Sequence, residues 1–322
     1  MSEALSLRAV YAARRTIAPY VRRTPLVPAH ALSEQCGRRV LLKLENQQVT
    51  GAFKVRGAAN RLLNLTADER ARGVITISTG NHGRAVAWMG NQLAVPVVVC
   101  VPELVLPHKV EAMRRVGAEV VIHGADQDEA EARAIELAAA RGLTLISPFD
   151  DPFIIAGQGT IGLEIMEDAP DVTTVIAPLS GGGLLGGIAL ALKAVDADIR
   201  TIGASMARGP VMIASLAAGH PVRLPEEPTL ADSLMGSIGL DNRYTFDLIR
   251  HTVDATVTLT EEQIAQAMDY ALREERQVIE GGAAVALGAV LHDKAPLLGD
   301  VVVVVLSGGN VDVAKLLKLS GG

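Results

Sequence analysis

Gly51-Ala52-Phe53-Lys54-Val55-Arg56-Gly57-Ala58 follows an extended apolar run, Val40 to Leu44, and a polar loop, Glu45 to Thr50. A helical pattern, Lys54 to Leu65, begins inside it. One lysine thus stands at a loop-to-helix junction, with Gly51 and Gly57 permitting close backbone approach on either side. The chain has seven lysines, and the other six lie on amphipathic or exposed-looking segments. A lysine so placed is open to partial desolvation, which lowers its pKa and frees its amine for Schiff-base chemistry. Taken alone, the octet fits a solvated lysine opening a helix equally well, and the rest of the chain has to decide.

At 322 residues and 49% hydrophobic composition the chain is long enough for two lobes with their own cores. Aromatic residues make up only 3%, so those cores must be built from Ala, Val, Leu and Ile. A formal charge of −6, spread without blocks, gives no nucleic-acid footprint. Cys36 and Cys100 stand far apart and lack metal or redox spacing, so both read as small buried hydrophobes in a reducing compartment. The N-terminus has no signal-peptide pattern, and the longest strongly apolar run, Val301 to Leu306, is far too short to span a membrane. The expectation is a soluble, cytoplasmic protein without nucleic-acid or membrane partners.

Strand and helix patterns alternate from Val74 onward. Val74–Ile77, Val97–Val101, Glu119–Ile122 and Leu143–Ile146 read as strands, separated by helices over Arg84–Leu93, Lys109–Val116 and Asp126–Arg141. A loop, Ser147 to Ala156, interrupts the rhythm. It resumes with helix Thr160–Glu167, strand Thr174–Ala177, helix Leu185–Val195 and strand Thr201–Ala204. Val222 to Asn242 is irregular. Capping-box patterns at Thr66-Ala67-Asp68-Glu69 and Thr260-Glu261-Glu262-Gln263 open two further helices. Helix Gly282–Leu291, strand Val301–Leu306 and helix Val311–Leu317 close the chain. This is an α/β pattern of open parallel sheets with helices on both faces, and two sheets, one nested inside the other, fit it better than one large sheet.

Ligands in such folds bind at the carboxyl ends of strands. Three loops there have the composition for it. Ser78-Thr79-Gly80-Asn81-His82-Gly83 offers hydroxyls, an amide and the N–H groups of a helix N-terminus, all suited to a carboxylate. Ser180-Gly181-Gly182-Gly183 brings side-chain-free backbone to a helix N-terminus and suits a phosphate, although it matches neither the Walker A loop nor the dinucleotide fingerprint. Ser307-Gly308-Gly309-Asn310 places a hydroxyl at a strand end, where it can meet a ring nitrogen. Each loop alone is also an ordinary capped turn. Together with a nucleophilic amine they describe one cofactor, pyridoxal 5′-phosphate, and one substrate class, an amino acid.

Over nearly its whole length the chain resembles the pyridoxal-phosphate enzymes of the tryptophan-synthase-β fold (fold type II), in the serine/threonine dehydratase and serine racemase branch. The resemblance runs through the lysine octet, Ser78–Gly83, Ile155-Ala156-Gly157-Gln158-Gly159-Thr160-Ile161, Ser180–Gly183, Glu280-Gly281-Gly282 and Ser307–Asn310. It implies that Lys54 is the catalytic Schiff-base lysine, that Phe53 packs by the ring and that Asn81 bonds the ring hydroxyl. Gly181, Gly182, Gly183 and Leu184 would hold the phosphate, Ser307 would contact the pyridine nitrogen, and Glu280 would belong to the cofactor site. Ser78, Thr79, Asn81 and His82 would hold the substrate carboxylate. Residues 1–43 and 148–322 would form a large cofactor-binding domain, residues 44–147 a small substrate-binding domain, and the protein would assemble as a homodimer.

A hydroxyl at the pyridine nitrogen, where other families have a carboxylate, favours prompt loss of a β-leaving group over transamination. Departures from the family refine this. Gly203-Ala204-Ser205-Met206-Ala207 has no carboxylate where some relatives bind a divalent cation, so no metal site is expected. Thr79 replaces the serine that racemases use as acid/base, and Pro148-Phe149-Asp150-Asp151-Pro152 is similar to the dehydratases. Ala231-Asp232-Ser233-Leu234-Met235-Gly236-Ser237-Ile238-Gly239-Leu240-Asp241-Asn242-Arg243 resembles the hydroxyectoine-utilisation dehydratases, with Ser233 where threonine dehydratases have glycine. The resemblance implies elimination of water from a hydroxyectoine-derived hydroxy-diaminobutyrate. A generalist L-threonine/L-serine dehydratase or serine racemase is the alternative, and a cofactor-binding protein without turnover the reading from another class.

Overall fold

Short runs rich in β-branched residues, the central ones buried on both faces, build the framework of the computed structural model, which describes residues 5–78, 80–103, 105, 107–319 and 321. The chain enters through α1 (Leu7–Ile17), β1 (Leu26–Pro28), α2 (His30–Cys36) and β2 (Arg39–Lys43). A 3-10 turn, Glu45–Gln47, leads to α3 (Lys54–Leu63), and α4 (Ala67–Arg72) follows the capping box at Thr66. Then come β3 (Val74–Ile77), α5 (Asn81–Leu93), β4 (Val97–Val101), α6 (Pro107–Arg115), β5 (Glu119–Ile122), α7 (Gln127–Arg141) and β6 (Thr144–Leu145). The second half holds α8 (Pro152–Asp168), β7 (Thr174–Pro178), α9 (Gly183–Val195), β8 (Arg200–Met206), α10 (Val211–Ala218) and α11 (Thr245–Thr252). It ends with β9 (Ala255–Leu259), α12 (Glu261–Arg273), α13 (Gly281–Leu291), β10 (Val301–Val305) and α14 (Val313–Leu319). Among the described residues no helix is long and apolar enough to cross a membrane.

The strands form two sheets, one of six strands in the order β1-β2-β10-β7-β8-β9 and one of four in the order β5-β4-β3-β6. All neighbours are parallel except β1 and β2, so one antiparallel edge is added to the parallel pattern expected from the sequence. The period of two is visible in β10. Val302 and Val304 face one core, whereas Val301, Val303 and Val305 face another on the opposite side of the sheet. In the small sheet Val97, Val99 and Val101 face one core, and Val98 and Cys100 the other. Cys100 is buried as expected, but Cys36 at the end of α2 is only half-buried.

Other expectations need correction. The segment read as a loop up to Ala156 is helical from Pro152, with the Asp151 carboxylate capping the N–H groups of Phe153 and Ile154. Gly157 and Gly159, which precede the helix expected from Thr160, are contact points between helices. A Cβ at Gly157 would lie 2.7 Å from the Arg56 carbonyl oxygen, and one at Gly159 would lie 2.8 Å from that of Gly187. The helices α10 and α11 and the strand β9 were also unforeseen, being short elements without a sustained periodic pattern.

The largest correction concerns Lys43. It belongs to the lysines read as amphipathic or exposed, but its side chain is fully buried. Lys43 Nζ donates to Glu164 (2.6 Å) and to the Thr24 carbonyl (2.7 Å). Arg56, also fully buried, reaches Glu45 through Nε and Nη2 (both 2.8 Å) and Glu164 through Nη1 (2.6 Å) and Nη2 (2.9 Å). Two cations and two carboxylates thus neutralise one another where β2, the turn after it, α3 and α8 meet. Burial alone would raise the pKa of Glu164, but Arg56 and Lys43 overcome it and hold the carboxyl below its usual range. Removing one member of such a set leaves an uncompensated buried charge, which costs about 3–5 kcal/mol. Glu164→Ala should therefore lower the unfolding free energy by about that amount in urea titrations at pH 7. A loss under about 1 kcal/mol, the range of exposed pairs, would mean that water already screens the network.

Candidate active site

The lysine octet is held by backbone pairing to the loop after β10. Phe53 N–H donates to the Ser307 carbonyl (3.0 Å), Ala52 bridges Gly308, and Gly309 N–H donates to the Gly51 carbonyl (2.9 Å). This places Lys54 at the first turn of α3 beside buried Ser307. Its Nζ donates to the Pro148 carbonyl (2.8 Å) and lies 5.2 Å from the centre of the Phe53 ring. The residue is half-buried as a whole, but its amine sits deep enough for lost hydration to dominate. Burial lowers its pKa to about 8, against a smaller opposing attraction from Glu280.

Phe149, next to the carbonyl that holds Lys54, packs against the glycine run. A Cβ at Gly181 would fall 2.2 Å from the Phe149 ring, and one at Gly183 would fall 3.0 Å from its Cα. Gly182 has φ +86°, the left-handed region that favours glycine, and it caps α9 without any side-chain hydrogen bond. The helix therefore begins with bare backbone N–H groups, and Leu184 is buried just inside it. Asp150 steadies this segment from behind, accepting the N–H groups of Arg243, Tyr244 and Thr245 at 2.8–2.9 Å. Neither its carboxylate nor the Pro148 carbonyl was singled out by the sequence.

The third wall is α5. Asn81 Nδ2 donates to Glu280 Oε1 (2.6 Å), and Glu280 N–H donates to the Gly308 carbonyl (3.1 Å), joining this helix to the loop after β10. Burial pushes the Glu280 carboxyl up to about 7, aided by the nearby charge of Asp232. Hydrogen bonds from Asn81 and Ser233 and the charge of Lys109 oppose the rise. Ser233 thus hydrogen-bonds Glu280, although the residue is otherwise exposed. Ser78 is half-buried, its Oγ accepting the Gly80 N–H (3.2 Å).

His82 follows Asn81 in the first turn of α5. Its imidazole is buried, with Nε2 facing the Ile146 carbonyl at 3.4 Å and Nδ1 left without a partner. Burial, then the Lys54 charge, lowers its pKa to about 3 against that carbonyl, so the ring is neutral. What His82 can offer a carboxylate is its backbone N–H at the start of α5. Thr79 lies outside the described residues. Among the described residues no group of three or more His, Cys, Asp or Glu could hold a metal ion.

A desolvated amine, a bare helix N-terminus, a strand-end serine and an amide–carboxylate pair are thus joined through Pro148–Phe149 and the loop after β10. An aldehyde-bearing, phosphorylated aromatic group fits them: the amine suits the aldehyde and the uncapped helix start suits the phosphate. Comparisons agree. The family model described as pyridoxal-phosphate dependent enzyme matches residues 17–308. A putative threonine dehydratase of Sinorhizobium fredii is 47% identical over 99% of this chain and 96% of that protein. An L-threonine ammonia-lyase of Thermotoga maritima is 40% identical over 98% of this chain and 78% of its own length. Among solved structures, maize serine racemase superposes with a TM-score of 0.92 at 32% identity, covering 97% of this chain and 96% of that one. The serine racemase of Dictyostelium discoideum does so with a TM-score of 0.88 at 32% identity, covering 96% and 99%.

Only the free amine of Lys54 attacks an aldehyde, and its share grows as pH rises through the lowered pKa. On mixing cofactor-free protein with pyridoxal 5′-phosphate, the rate of covalent capture should climb between pH 7 and pH 9, with its midpoint near about 8. Visible absorbance read by stopped flow follows it, and Lys54→Ala should give no such band at any pH. A pH-independent rate over that interval would contradict the assignment.

Proposed function

The chain belongs to the pyridoxal-phosphate-dependent serine/threonine dehydratase family and is a dehydratase with pyridoxal 5′-phosphate as its cofactor, and we propose that it eliminates water from a β-hydroxy-α-amino acid, the released enamine then taking water up again by hydrolysis to give a keto acid and ammonia. What carries this reading is Lys54, an amine with a pKa of about 8 that is held by the Pro148 carbonyl, next to the Phe149 that packs on Gly183, and that feels the charge of Glu280. When bound, the cofactor supplies an aldehyde for the substrate amine and an electron-withdrawing ring that acidifies the Cα–H bond. With the substrate amine held at the aldehyde, Lys54 would be the base that takes the Cα proton on Nζ. Gly181, Gly182, Gly183 and Leu184 hold the phosphate by backbone N–H groups, while Phe53 packs beside the ring. Asn81 donates to the ring oxygen. Ser307 offers the ring nitrogen a hydroxyl rather than a carboxylate, which favours early departure of the β-hydroxyl. Ser78, Thr79, Asn81 and the His82 backbone receive the substrate carboxylate. In this arrangement residues 1–43 and 148–322 form the cofactor domain, and residues 44–147 close over the substrate.

The substrate reading rests on the wall around Ser233. Ser233 donates to Glu280, and beside it Asp232 pairs with Lys109 across the cleft at 3.2 Å. Two charges and a hydroxyl suit a substrate whose side chain continues beyond the β-carbon with polar atoms. The sequence resemblance of residues 231–243 points the same way, to an acetylated hydroxy-diaminobutyrate derived from hydroxyectoine. A site that pairs a polar group discriminates against analogues lacking it, by up to about 10⁴-fold. We expect kcat/KM for that compound to exceed those for L-threonine and L-serine by at least about tenfold. Equal or better turnover of L-threonine would favour the second reading, a generalist threonine dehydratase, which the names of the relatives support.

Ser205 and Ala207 stand where a divalent-cation site would need carboxylates. Turnover should therefore survive EDTA treatment unchanged, measured as keto-acid release. A large loss restored by magnesium would assign a cation to this loop after all.

A further inference from the structure

The Asn81 amide does not choose its own orientation. Asn310, at the end of the loop after β10, donates from Nδ2 to Asn81 Oδ1 (2.7 Å) and to the Thr50 carbonyl (2.9 Å). Arg84, one turn along α5 from Asn81, donates from Nη1 to Asn310 Oδ1 (2.7 Å). Reversing the Asn310 amide would set an NH₂ group against a guanidinium and an oxygen against two further oxygens. Only one orientation is therefore compatible with its surroundings. Because Asn81 Oδ1 is taken by Asn310, its Nδ2 must face Glu280 and the cleft. Gly51 makes the approach possible: it adopts φ +78°, and a Cβ there would fall 2.4 Å from Asn310 Oδ1. The first glycine of the lysine octet thus serves Asn310.

We propose that Asn310, itself held by the exposed Arg84, is a positioning residue that fixes the Asn81 amide with its nitrogen toward Glu280 and the cofactor. This rests on the reading of Asn81 as the donor to the cofactor's ring oxygen. The surface cation on α5 sets Asn310, Asn310 sets Asn81, and Asn81 presents its donor inside the cleft. Neither Asn310 nor Arg84 touches reacting atoms, so their effect passes entirely through the Asn81 amide.

Asn310→Asp keeps the shape and the pairing with Arg84 but replaces both donors by an acceptor. The dissociation constant of pyridoxal 5′-phosphate from the full-length protein should rise about tenfold, the scale of one or two lost hydrogen bonds. The visible absorption maximum of the bound cofactor should shift with it. Arg84→Gln, at an exposed position that tolerates change, should move both readouts in the same direction by about threefold or more in affinity. In an Asn81→Ala background, Asn310→Asp should add nothing further, because its target is gone. Should Asn310→Asp not fold, Arg84→Gln with and without Asn81→Ala runs the same cycle. Additive effects, or a lowered Tm with cofactor affinity and spectrum unchanged, would overturn the proposal and leave Asn310 a structural residue. Failure of the unmodified protein to take up the cofactor would instead overturn the functional reading itself.

Discussion

The buried set of Lys43, Glu45, Arg56 and Glu164 is the constraint on which the site depends. Arg56 lies two residues beyond Lys54 in α3, and it is pinned by both carboxylates, by Thr160 Oγ1 and by the Arg22 carbonyl. A guanidinium holds five donors in a fixed fork, so these partners define the helix's rotation as well as its position. Lys43 ends β2 and closes the same set through Glu164. Sheet, turn and both helices therefore meet at one electrically neutral point beneath the lysine. An apolar cluster of equal volume would often be as stable or more so. What the ionic version adds is direction: apolar contacts tolerate rotation and sliding, whereas forked hydrogen bonds do not.

The framework was legible because it follows period and punctuation. Both capping boxes form with reciprocal bonds, at Thr66–Glu69 and Thr260–Gln263, since their chemistry is local. Strand runs such as Val74–Ile77 and Val97–Val101 were readable for the same reason, β-branched residues bounded by glycine or proline. Elements fixed by distant partners were not. The start of α8 was hidden by glycines whose purpose is to let α3 and α9 come near, and nothing within the segment records those neighbours. Lys43 reads as the polar end of a strand until Glu164, far along the chain, is brought beside it. The same holds for the site: Lys54 and the glycine run announce themselves, whereas the imidazole of His82 turns inward for a carbonyl contributed by Ile146.

Within the cleft, burial works on groups of opposite sign. It makes the Lys54 ammonium easier to deprotonate and the Glu280 carboxylate easier to protonate, bringing their pKa values to about 8 and about 7. Each exists in both forms near neutrality, while His82 stays uncharged. Asn81 moderates Glu280 by donating to it, which keeps the carboxyl from rising further.

The contacts between the two sheets are unequal from base to mouth. At the base, α3 lies on α8 with Gly57 and Gly157 so close that a Cβ on Gly157 would sit 2.7 Å from the Gly57 Cα, and the ionic set seals this seam from water. At the mouth the links are polar and partly exposed: Arg84 with Asn310, Asn81 with Glu280, Lys109 with Asp232. An exposed pair such as Lys109–Asp232 contributes about 0–1 kcal/mol, against several for breaking a buried one. Any parting of the sheets must therefore begin at the mouth and turn about the seam. Lys54 lies two residues from Arg56 at the seam, and exposed Ser233 lies beside Asp232 at the mouth. The residue assigned to the chemistry is thus anchored beside the buried ionic set, whereas the residue assigned to substrate choice lies among the more exposed polar pairs.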